Sequence, residues 1–113
     1  MTKDYTDLAK ELNVDIKNLR DAIPETMAGF SQMGNAAKAD GAMDPKAKEL
    51  VAIGIAIATR CDGCIAFHVK AAILYGASRE EVAETIAMAV YMGGGPSMIY
   101  GAQTLKAFDQ FSA

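Results

Sequence analysis

Two cysteines and one histidine, the chain's full complement of each, lie within eight residues: Cys61, Cys64 and His68. If the chain is helical from Asp62 onward, these positions fall at i, i+3 and i+7 and share one face within roughly 60°. A Cys-x-x-Cys pair at that spacing can close a disulfide across one turn. The cysteine nearer the helix start, Cys61, feels the partial positive charge there and becomes the more acidic thiol. His68 stands one turn past Cys64 and can take or give a proton near neutral pH.

Glu49 is the acid between Asp44 and Cys61, and it opens an otherwise apolar stretch. A charge in such a place is costly without a partner. An antiparallel hairpin around Arg60 would bring its carboxylate back onto the cysteine face, to orient His68 or relay its proton. Cys61, Cys64, His68 and Glu49 also make a formal four-ligand set, although structural zinc favours two Cys-x-x-Cys knuckles and a carboxylate ligand is unusual there. A thioredoxin-type setting is excluded, because no βαβ pattern surrounds the motif. Redox catalysis and metal binding both remain open on spacing alone. No metal or cofactor is expected.

The elements that must position these side chains read as helices. Tyr5, Leu8, Leu12, Ile16, Leu19 and Ile23 recur at steps of three or four, giving one amphipathic helix or two with a joint near Asn13-Val14-Asp15. Pro24 can open the next helix, with Met27, Phe30 and Met33 on its apolar side. Asp44-Pro45 is a helix start, leading a segment to about Thr59 that is apolar nearly all round after Glu49. The motif helix follows from Asp62 to Tyr75, with Gly76 as its stop. Ser78-Arg-Glu-Glu81 matches a capping box and begins a helix to about Met92. Gly93-Gly-Gly-Pro96 breaks it, and Pro96 opens a last helix to about Phe111. No period-2 pattern of strands appears. The expectation is an all-α bundle of about six helices in a single domain over residues 1–113.

Composition narrows the function. With ten glycines counted in and four tyrosines counted out, the apolar share exceeds the usual range of about 45–50%. That excess predicts a helix-mediated homo-oligomer. The net charge of −3 and scattered basic residues argue against a nucleic-acid surface, and Lys46, Lys48 and Lys70 read as solvated helix faces. The uncharged stretch from Thr85 to Leu105 is broken at its centre by Gly93–Pro96, so two buried helices suit it better than a membrane span. The charged N-terminal region has no secretory core, and a cytoplasmic location is expected. Closely spaced cysteines in such a protein point to redox chemistry or metal rather than a staple. Met88, Met92 and Met98 are expected as core filler, and Tyr75, Tyr91 and Tyr100 as half-buried helical residues with wet tips.

The pattern Glu49-x11-Cys61-x2-Cys64-x3-His68 resembles the active-site signature of the AhpD-like, carboxymuconolactone decarboxylase superfamily. The similarity runs from about Asp44 to Phe108. It includes Ala58-Thr-Arg-Cys-Asp-Gly-Cys64, Gly76-Ala-Ser-Arg-Glu-Glu81 and Tyr91-Met-Gly-Gly-Gly-Pro96. This resemblance implies an all-helical fold assembled as a ring-like trimer or hexamer. It implies a thiol-disulfide oxidoreductase that reduces hydroperoxides or a partner disulfide and is reset by a protein or small-thiol reductant. Cys64 would be the attacking thiolate, Cys61 its disulfide partner, and His68 with Glu49 the proton relay. The resemblance thus places attack on Cys64, whereas the helix-dipole argument makes Cys61 the more acidic. The alkylhydroperoxidase motif carries a histidine between its cysteines where this chain has Asp62-Gly63. The decarboxylases of the superfamily do not need the cysteine pair, so its retention here favours redox chemistry.

Overall fold

Five of the six helices among the described residues start at a residue whose side chain suits that job. The computed structural model describes residues 3–113. The Asp4 carboxylate accepts a hydrogen bond from the Asp7 backbone N–H and starts α1 (Tyr5–Ala22). That helix is continuous, without the joint considered near Asn13. Pro24 opens α2 (Pro24–Lys38), where its missing N–H is no loss. Asp44 caps α3 (Pro45–Ala58) by accepting from the Ala47 N–H at 2.7 Å. Then come α4 (Asp62–Leu74), α5 (Arg79–Gly93) and α6 (Gly95–Ser112). At the head of α5, Ser78 and Glu81 close the expected capping box. Among the described residues there is no strand.

Four helices form the body, in the spatial cycle α3, α4, α6, α5, each packed on the next. Ile53 and Ile57 of α3, Ile65 and Val69 of α4, Val82 of α5, and Ala107 with Phe108 of α6 meet in the core. Gly101 lets α6 approach α5 closely, because a β-carbon there would collide with Ile86. The Gly93–Gly95 break, for its part, supplies a positive φ at Gly94 for the turn between those helices. α1 leans across α4 and α6 and seals the bundle with Tyr5 and Ala9, both buried.

α2 is different: none of its residues is buried, and Phe30 and Met33 stand more than 60% exposed. Its C-terminal carbonyls at Ala37 and Ala39 accept hydrogen bonds from the Lys48 ammonium at 3.0 and 2.6 Å. Lys48 is therefore a cap rather than the solvated residue expected. Lys46 also has a partner, pairing with Glu81 at 2.9 Å. Met88, Met92 and Met98 depart from expectation too, lying on the surface instead of in the core, and Tyr91 is exposed along its length. A helix that is apolar on both sides does not reveal in sequence which side turns inward.

Candidate active site at the start of helix α4

The turn from α3 to α4 is held from both ends at Cys61. Helix α3 closes with the backbone N–H of Arg60 donating to the Ile57 carbonyl (3.1 Å) and that of Cys61 to the Ala56 carbonyl (3.0 Å), a Schellman motif. Such a motif needs one left-handed residue, normally glycine. Gly76 fills that place after α4, with φ +86°. After α3 it is Arg60, at φ 56°, the one non-glycine residue with positive φ among those described. A side chain there costs about 1–2 kcal/mol, so the surrounding contacts must hold the turn in place. Arg60 thus caps the preceding carbonyls through its backbone while its side chain stays exposed.

Cys61 is the N-cap of α4, and its Sγ accepts a hydrogen bond from the Cys64 N–H at 3.2 Å. The two cysteines are joined as a disulfide with their Cα atoms 5.2 Å apart. Gly63 between them lies under α1: a β-carbon there would sit 2.8 Å from Leu12 Cδ1.

Glu49 is buried in the first half of α3, and its Oε2 lies 2.9 Å from His68 Nδ1 on α4. The antiparallel α3–α4 hairpin thus pairs the two residues as the sequence suggests. An ionised carboxylate only accepts, so with Glu49 charged Nδ1 is the donor of this bond and Nε2 is left for other partners. Cys64 and His68 line one pocket of about 190 Å³ with Ala52, Ile55, Ala56 and Thr59. A larger one, about 420 Å³, runs beneath α2 past Phe30, Met43 and Val51 to Glu49 and His68. Ala52, Ile55 and His68 line both, so the two adjoin at the imidazole. Cys61 lines neither. Among the described residues no three His, Cys, Asp or Glu side chains are grouped to hold a metal ion.

Behind the cysteines lies a polar network that sequence reasoning missed. The buried Tyr5 hydroxyl donates within reach of Asp62 Oδ1 (3.1 Å) and Gln103 Oε1 (3.2 Å). The Lys3 ammonium reaches the same two groups, at 3.1 Å to Asp62 Oδ1 and 2.6 Å to Gln103. Burial, and next the Asp62 charge, push the Tyr5 hydroxyl far above the usual phenol range, so it stays a donor. Gln110 fixes this end of the chain, accepting from the Tyr5 N–H and donating to the Lys3 carbonyl. In the sequence, Tyr5 is one more apolar step of a helix. No local spacing links it to partners 57 and 98 residues away.

The class these features define is an all-helical protein with a Cys-x-x-Cys disulfide at a helix start, backed by a buried Glu–His pair. Residues 24–107 match the carboxymuconolactone decarboxylase family, and the chain belongs to that family. A crystal structure of an apo carboxymuconolactone decarboxylase family protein from Legionella pneumophila superposes with a TM-score of 0.95. It is 45% identical and covers 99% of this chain and all of its own. An uncharacterized protein of Cupriavidus necator is 36% identical over the whole of both chains. The uncharacterized protein 4 in the cox locus of Paracoccus denitrificans is 35% identical over 81 residues, 72% of this chain and 73% of its own. No helix among the described residues is long and apolar enough to cross a membrane.

Proposed function

We propose that the protein is a thiol-disulfide oxidoreductase of the alkylhydroperoxidase type, with Cys64 as attacking thiolate and Cys61 as its partner. The observation that carries this reading is the placement of Cys64 and His68 in one pocket, with Glu49 holding the imidazole by its other nitrogen. The Cys64 thiolate attacks the distal oxygen of a hydroperoxide. The S–O bond forms, the O–O bond breaks, and the alkoxide takes a proton delivered through His68 and Glu49 to leave as an alcohol. The Cys61 sulfur then attacks the Cys64 sulfenic acid, closing the disulfide and releasing water. A dithiol or protein thiol pair resets the cycle, becoming oxidised as the disulfide opens. The adjoining apolar pocket suits an organic hydroperoxide better than hydrogen peroxide.

In this proposal the two cysteines take different roles. The helix-start position of Cys61, whose Sγ accepts the Cys64 N–H, would favour negative charge on that sulfur as it departs. A reductant entering by the pocket meets Cys64, and Cys61 departs. A dithiol substitute or a partner disulfide is handled by the same exchange.

The apolar stripe formed by Val51 and Ile55 of α3 with Met88 and Met92 of α5 lines a groove of about 470 Å³, and all four side chains are at least half exposed. Together with the bare α2 it supports a homo-oligomer, in which neighbouring copies would close the pocket beside His68. The family's name favours a second reading, acid-base decarboxylation of a lactone acid by Glu49 and His68 without the cysteines. Alkylating both thiols of the reduced protein separates the two. The redox reading expects hydroperoxide turnover to vanish once either thiol is alkylated; lactone decarboxylation that survives alkylation of both would establish the other.

A further inference from the structure

Asp62 is a carboxylate placed at the first position of α4, next to Cys61, where an added negative charge opposes a thiolate. Any acid at such a helix start gains from the helix dipole, yet this one is also held in a built environment. It is paired with Lys3 at 3.0 Å and receives the buried Tyr5 hydroxyl, while Gln110 clamps the backbone of both partners. The N-terminal segment is thereby tied to the residue that follows Cys61 in sequence. We propose that Asp62 and Lys3 form a tuning pair that sets how readily Cys61 carries negative charge, and hence the balance between disulfide and dithiol. This rests on the redox reading above, but it concerns the thiol itself and not the oxidant.

The other charges around the turn are fixed in the comparison. Asp4, Asp7 and Glu11 line the same depression as Lys3 and Asp62, so Lys3 faces four carboxylates there. Arg60 precedes Cys61, and the Glu49–His68 pair stands beside Cys64. Removing the Asp62 charge takes away the carboxylate next to Cys61 in sequence while keeping Lys3 and the helix start, which favours the Cys61 thiolate. Removing the Lys3 charge leaves Asp62 and its acidic neighbours unopposed, which disfavours it. Both side chains are partly exposed, at 35% and 40%, so solvent screening keeps the effect moderate.

The test uses the full chain with Cys64→Ser, in which Cys61 is the remaining thiol, and reads its alkylation rate by iodoacetamide across pH. At pH 7, Asp62→Asn should raise the rate about two- to fivefold and Lys3→Gln should lower it by a similar factor. Lys3→Glu should lower it further, and this series on an exposed residue stands even if Asp62→Asn fails to fold. Opposite and graded displacements support the tuning pair. Rates that move together, or do not move, overturn it, since loss of a purely structural contact would lower the melting temperature without reversing sign. No hydroperoxide enters the assay, so absence of peroxidase turnover in the native protein would count against the redox reading alone.

Discussion

Cys64→Ser is expected to bring hydroperoxide turnover down to the uncatalysed background, a loss of at least about 10³-fold. A serine hydroxyl is not ionised at neutral pH, and no disulfide can form from it. The substitution should leave the fold intact. The Cys61–Cys64 link closes a loop of four residues, for which the chain-entropy gain is at most about 2 kcal/mol. The partner substitution sharpens the assignment. Cys61→Ser should still react once with a hydroperoxide and stall as a Cys64 sulfenic acid, visible as a gain of one oxygen in mass. Continued turnover by Cys64→Ser, or single-turnover reactivity seated on Cys61, would contradict the roles assigned to the two sulfurs.

Glu49→Gln is expected to lower turnover by about 10²-fold while the melting temperature stays near that of the native protein. The glutamine oxygen can still accept from His68 Nδ1 over the 2.9 Å now spanned by the carboxylate, so the imidazole keeps its place. What is lost is the negative charge that stabilises the imidazolium when His68 takes a proton. Steady-state kinetics with an alkyl hydroperoxide and a dithiol check this. A fall in kcat with KM unchanged fits a proton relay; unchanged kcat would reduce Glu49 to a residue that only orients the ring. Glu49→Ala is the less informative variant, because it leaves the His68 N–H without its acceptor and opens a hole in α3.

Much of this site was legible in the sequence because it is local. Cys61, Cys64 and His68 lie on one helix, and Glu49 reaches them through a single hairpin whose ends are marked by Asp44-Pro45 and Gly76. Four helix starts announced themselves through caps or breakers, at Pro24, Asp44-Pro45, Ser78 and Gly93–Pro96, and each falls within a residue of the observed start. What failed was anything decided by which face turns inward. Helices α3 and α5 are apolar on two sides, so Met88 and Met92 looked like core and prove to be surface. Lys48 looked like a solvated charge because the carbonyls it caps belong to α2, nine and eleven residues back across a turn. The Lys3–Tyr5–Asp62–Gln103 network was unreadable for a related reason, since it joins three parts of the chain brought together only by α1 lying across α4 and α6.

The central claim is that Cys61 and Cys64 are a working redox pair, and intact mass under non-denaturing conditions tests it most directly. The fully reduced protein would be measured before and after one equivalent of an alkyl hydroperoxide, with the same spectrum giving the number of subunits. A prompt loss of about 2 Da per chain as the disulfide closes, reversed by a dithiol and absent in Cys64→Ser, is the predicted result. A mass that stays unchanged over many minutes would contradict the account and leave the Glu49–His68 pair to acid-base chemistry.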